Sequence, residues 1–109
     1  MRLAPILLVA LAACAGPAPT GTVENAEFRG KAAGLGPRTQ QILRAGAGLG
    51  WDMATTASGQ IRATLDHDGH TAAIVIDYTV TRFSIHPQGP PDPEAVQMLE
   101  DSIRAQSSV

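Results

Sequence analysis

Apolar and polar positions along this chain follow two different periods, and the switch between them marks its elements. From Ile61, the side chains Ile61, Ala63 and Leu65 fall on one side and Arg62 and Thr64 on the other, the alternation of a half-buried strand. The run TAAIVIDY repeats it, with Ala72, Ile74, Ile76 and Tyr78 on one face and Asp77 on the other. Trp51, Met53 and Thr55 alternate with Asp52, Ala54 and Thr56 to predict a strand before these two. Phe83 and Ile85 predict a short one after them, beyond a bend at Thr79–Arg82. Ser58-Gly59 and Asp68-Gly69 are turn-forming pairs whose glycines tolerate positive φ. The expectation is an antiparallel meander of three or four strands with one buried face.

Helical spacing flanks the meander. In GLGPRTQQILRAGAGLGW, Gly36-Pro37 opens a helix with proline at its first position, where the missing N–H costs nothing. Ile42, Leu43 and Ala47 predict its apolar stripe, with Leu49 at the edge. Gly46 and Gly48 weaken it by about 1 kcal/mol each, and Gly50 suits a left-handed stop. The Pro-rich HPQGPPDP (86–93) ends the last strand. Asp92 is placed to cap a second helix that begins at Pro93, and Val96, Leu99 and Ile103 fall at i, i+3 and i+7. The fold class is therefore α+β: a helix, a small antiparallel sheet and a helix over residues 28–109, with both helices free to cover one sheet face.

The amino terminus has neither period. Arg2 precedes the apolar run Leu3–Ala13, whose 11 residues would span about 16 Å as a helix, too short for a hydrocarbon core of about 30 Å. This is the shape of an export leader. It ends Leu11-Ala12-Ala13-Cys14, with the only cysteine of the chain, and resembles the lipobox of bacterial lipoprotein precursors. The resemblance implies acylation of the Cys14 thiol and cleavage of residues 1–13. Two or three acyl chains would make membrane attachment stable where one is marginal. Ala15 follows the cysteine, the residue class that in Gram-negative lipoproteins accompanies export to the outer membrane. The expected location is thus the cell envelope, lipid-anchored at the outer membrane and facing the periplasm. Residues 14–27, AGPAPTGTVEN included, are Pro- and Gly-bearing without a period and read as a flexible tether.

Charge narrows the classes further. The leader holds one of eight Lys/Arg residues and none of the ten Asp/Glu, so cleavage takes the formal charge from −2 to −3. That is no electrostatic footprint for nucleic acid, nor a polybasic patch for anionic lipid. With Cys14 acylated, no thiol remains for a disulfide or a nucleophile. Ser84 and the other serines lack a Gly-x-Ser-x-Gly setting. AGAGLG ends a helix rather than joining a strand to one, so it reads as close packing and a stop rather than a phosphate cradle. Trp51, Tyr78 and Phe83 read as core in a chain with four aromatics.

Gly50-Trp51, Gly59-x-Ile61-x-Ala63-x-Leu65, His70-x-Ala72 through Tyr78 and Phe83-Ser84-Ile85 occur in an order that resembles a group of small proteobacterial lipoproteins of uncharacterised function. The likeness covers about half of the chain, from Ile42 to Ile85 plus the lipobox. It implies fold and location and no activity. HPQGPPDP stands where that group carries an aromatic, Asn/Tyr-rich segment.

One stretch could attract a metal. DHDGH (66–70) offers Asp66, His67, Asp68 and His70, and zinc or nickel accepts imidazole with carboxylate. The competing reading is a plain hairpin turn with Gly69 supplying positive φ, since four ligands so close in sequence rarely converge on one centre. His86 would have to arrive from elsewhere. A calcium loop is excluded because its sixth position is Thr71 rather than glycine. The expectation is a non-enzymatic envelope lipoprotein without a cofactor, contacting the bilayer through Cys14 and envelope proteins through its domain. The alternative is a metal-binding or metal-sensing lipoprotein using residues 66–70.

Overall fold

The computed structural model describes residues 20–108. The leader, the lipobox and Cys14 lie outside them. Seven elements follow in order: β1 (Val23–Glu27), α1 (Leu35–Gly48), β2 (Asp52–Ala57), β3 (Gln60–His67), β4 (His70–Tyr78), β5 (Arg82–Pro87) and α2 (Pro93–Ser107). The five strands form one antiparallel sheet in the order β1-β5-β4-β3-β2. The α+β class stands, with five strands rather than three or four.

The additional strand lies inside the segment expected to be tether. Val23 pairs with Ile85 and Ala26 with Phe83, with a bulge between, so three residues on β1 advance the register that two advance on β5. Asn25 takes a positive φ of 50° there. The bulge breaks the apolar alternation of Val23, Ala26 and Phe28, which is why no strand period is visible. Ser84 Oγ accepts the Asn25 amide at 3.0 Å, and Arg82 binds Glu27 at 3.0 Å across the same edge.

The meander pairs as its alternation predicts. Ile61 opposes Ile76 and Ala63 opposes Ile74, while Ile76 and Tyr78 oppose Ile85 and Phe83. These side chains and Ala72 are buried under the two helices, together with Val96, Leu99 and Ile103 of α2. On β2 only the beginning is covered: Trp51 just before it is buried, Met53 is half-buried, and Thr55 is exposed. The other sheet face, carrying Arg62, Thr64, Val75, Asp77 and His86, has no helix of the described residues on it. There Gln60 donates to Asp77 at 3.2 Å.

Helix α1 differs from its expected outline. It begins at Leu35 after Gly34, which puts Pro37 third in the first turn rather than first. Its buried stripe is Arg38, Ile42, Ala45 and Gly46; Leu43 is half-buried and Ala47 exposed. Gly46 turns this stripe toward β2, because a Cβ there would lie 2.5 Å from the Met53 sulfur. Leu49 ends the helix and Gly50 follows at φ 92°. Helix α2 is as expected, with Asp92 as cap and Pro93 first.

Arg38 explains the rotation of the stripe. Its side chain is buried at the end of the sheet where β4 leaves and β5 begins. Nε donates to the Val80 carbonyl at 2.6 Å, Nη1 to Gln41 Oε1 at 2.9 Å, and Nη2 to the Gly30 carbonyl. The guanidinium sits 4.1 Å from the Phe28 ring centroid, a cation–π contact. It thus ties two loops and the end of β1 to α1.

Candidate functional site

The opposite end of the sheet carries the chemistry. The β3–β4 hairpin closes through Asp68 and Gly69, at φ 52° and 83°. Two central residues with positive φ define the type I′ loop, whose twist suits tight antiparallel strands. A two-residue loop fixes the flanking pair, so His67 and His70 stand directly opposite each other. Both belong to the face that α2 covers, and their rings meet edge to face at 6.1 Å between centroids.

The first turn of α2 comes down on that pair. Asp92 has a side chain only 7 % exposed, and its two oxygens divide the work. Oδ1 accepts the Ala95 amide at 3.2 Å, the cap bond that satisfies one free helix donor. Oδ2 lies 2.6 Å from His67 Nδ1 and 3.3 Å from His70 Nε2. The second nitrogen of His67, Nε2, faces Asp68 Oδ2 at 3.7 Å and Glu94 Oε1 at 3.9 Å. Burial alone would raise the Asp92 carboxyl. The His67 hydrogen bond, the Ala95 amide and the His67 charge outweigh it and hold the group below its ordinary range. The Asp92 hydrogen bond raises the His67 imidazole, against some desolvation and with help from the charges of Asp68, Asp92 and Glu94.

Three of the four residues singled out in 66–70 therefore meet here. His67 and His70 gather with Asp92, and His67 and Asp68 gather with Glu94; within each trio the donor atoms lie within 4.8 Å of one another. Asp66 is not among them. It points to the open face and accepts the Thr71 hydroxyl at 2.7 Å, a cross-strand bond. His86 is on that open face too, 3.6 Å from Glu24. The hairpin-turn reading describes Asp68-Gly69 correctly, yet it misses what the turn does to the histidines beside it. Asp92 is visible in the sequence as a cap, while its free oxygen and Glu94 acquire partners only when α2 folds back over the hairpin.

Two neighbours complete the surroundings. Leu49, Trp51, Leu65, Ala95 and Met98 line a depression of about 200 Å³ with His67 at its rim. Met98 is 51 % exposed there, the one large apolar side chain so open among the described residues. The chain also reaches β1 past this end: a Cβ on Gly21, at φ 85°, would lie 2.8 Å from Pro91 Cβ and 3.6 Å from the Asp92 nitrogen. No helix of the described residues is long and apolar enough to cross a membrane. No protein-family model, curated protein or solved structure matches the chain.

Proposed function

We propose that this chain is a lipid-anchored envelope protein of a bacterium, acylated at Cys14, whose domain makes non-enzymatic protein contacts in the periplasm. The observation that carries the reading is the leader ending Leu11-Ala12-Ala13-Cys14, with the only thiol of the chain at the modified position. The distance from Cys14 to the fold supports a close attachment. Eight residues, 15–22, separate the cysteine from β1, and at about 3.6 Å per extended residue they reach no farther than about 30 Å. The chain joins the domain beside Pro91 and Asp92. An anchored domain would therefore turn its histidine-bearing end toward the bilayer, with the open face of the sheet standing across the gap. That face, rich in threonine and charged side chains and not covered by a helix among the described residues, is the surface we assign to partners.

Mass analysis of the amino-terminal peptide from membranes, beside a Cys14→Ser variant, tests the anchor. An acylated Cys14, lost in the variant together with membrane retention, is the expected result. An unmodified terminus in the soluble fraction overturns it. Photo-crosslinkers placed at Thr64 and Val75 test the surface. Adducts with envelope proteins are expected, and adducts confined to lipoprotein-processing enzymes would count against a partner there.

A further inference from the structure

We infer that His67 Nδ1, His70 Nε2 and Asp92 Oδ2 form a binding site for a divalent transition-metal ion of the zinc class, which clamps the β3–β4 hairpin to the start of α2. The inference does not depend on the lipid anchor. Two imidazoles and a carboxylate are borderline-to-hard donors of the kind zinc, nickel and copper(II) accept, and they differ from the all-oxygen sets that suit magnesium or calcium.

Geometry carries the argument. Ligands about 2.1 Å from a tetrahedral centre stand roughly 3.4 Å apart, and His70 Nε2 already lies 3.3 Å from Asp92 Oδ2. His67 Nδ1, at 2.6 Å from the same oxygen, is at hydrogen-bond distance. There the ion would take the place of the proton that now joins the two atoms, and the ring need withdraw by less than 1 Å. The carboxylate can bind through one oxygen only, because its other oxygen caps the helix. The remaining nitrogen of His67 is also provided for. Its N–H points toward Asp68 and Glu94, at 3.7 and 3.9 Å, the acidic outer partners that metal-bound histidines commonly have. The backbone holds this arrangement without help from the ion, since the type I′ loop pairs the histidines and the cap fixes Asp92. The fourth position opens to solvent beside His70, which is half exposed, and is left to water or an external ligand.

The fold also makes occupancy consequential. The three ligands come from β3, β4 and the residue before α2, so an ion here cross-links elements 25 residues apart in sequence. Metal would tighten the contact between hairpin and helix and shield the rim of the Trp51 depression.

Zinc titration of the full-length chain in detergent, followed by calorimetry after chelator treatment, tests the site. One ion bound per chain with micromolar affinity is expected. His70→Ala should weaken binding at least tenfold and His67→Ala more, while Asp66→Asn and His86→Ala leave it unchanged. Glu94→Gln should weaken it a few-fold only. Because His67→Ala also removes a structural bond, cobalt(II) absorption provides a second readout on the folded His70→Ala protein. A visible ligand-field band in the parent, diminished in that variant, supports imidazole ligation. Absence of saturable binding, or binding that follows His86→Ala rather than His70→Ala, overturns the site.

Discussion

The two ends of the sheet each bury a charged group and solve the problem in opposite ways. At one end Arg38 is held mainly by carbonyls of Val80 and Gly30 and by a ring face. At the other, Asp92 is held by an amide and two histidines. The ends are separated by the length of β4, roughly 25–30 Å at about 3.3 Å per residue. Burial pushes the Arg38 guanidinium below its ordinary value, yet it remains charged at any physiological pH, and none of its partners titrates there. Its end is fixed under all ordinary conditions. The Asp92 end joins an imidazole and a carboxylate, His67 and Asp92, whose proton affinities depend on each other, and it offers the metal site proposed above. One end is a permanent joint, and the other answers to its surroundings.

Removing the permanent joint should have the largest effect. Arg38→Ala leaves the partly buried carbonyls of Val80 and Gly30 without these donors and opens space beside Phe28, a loss of about 3–5 kcal/mol. Against the roughly 5–10 kcal/mol available to a domain of this size, urea denaturation should find the variant largely unfolded or close to it. Arg38→Lys keeps the charge without the fork and should lose about 2 kcal/mol. A midpoint equal to the parent in either variant would show that the guanidinium is incidental. Asp92→Ala comes next, at about 2–3 kcal/mol for a cap and a charge-assisted bond. Asp92→Asn should recover the cap portion, about 1 kcal/mol.

A smaller effect distinguishes the ends by pH. With chelator present, the raised imidazole of His67 contributes stability below its unfolded pKa, and that contribution is lost as pH rises through its folded value. The lowered carboxyl of Asp92 contributes above its unfolded pKa and loses this as pH falls through its folded value. Thermal unfolding should therefore show a mildly acidic plateau that His67→Gln flattens and Arg38→Lys, though lower throughout, preserves in shape. Smallest of all is His70→Ala without metal, within about 0.5 kcal/mol because the side chain is half exposed. Zinc sharpens this case: it should raise the parent melting temperature and leave that of His70→Ala nearly unmoved.

What the sequence discloses differs along the same axis. β3, β4, β5 and α2 are legible because each keeps an unbroken period over a buried face, as Ala72, Ile74, Ile76 and Tyr78 show. β1 is not, because the bulge at Asn25 shifts Ala26 and Phe28 out of phase with Val23. α1 is legible as a helix and misread in phase. Of the apolar candidates Ile42, Leu43 and Ala47, Ile42 is buried as expected, but Leu43 and Ala47 are not, and the inward face also bears a charged residue, Arg38, and a glycine chosen for proximity to Met53. Hydrophobicity cannot announce a buried arginine. The His–Asp cluster is half legible: His67 and His70 are set by local turn geometry, while their joining to Asp92 is a tertiary event with no local signature.

The bulged edge strand has a mechanical consequence. Among the described residues β1 is paired on one side only and at three register positions, so a load on the chain ahead of Val23 bears on it once Gly21 has parted from Pro91. A load directed across the strand, away from the sheet edge, would open Val23 from Ile85 before Glu27 from Arg82, and would meet its next resistance where Phe28 packs on Phe83 and the Arg38 guanidinium. The five residues released would lengthen the link by about 17 Å. Val23 would leave the core with the strand, while Ile85 and Phe83 of β5 would keep their contacts with β4. For a domain anchored as proposed, the edge strand would thus hold a reserve of chain, released under a pull and re-paired when the pull ends.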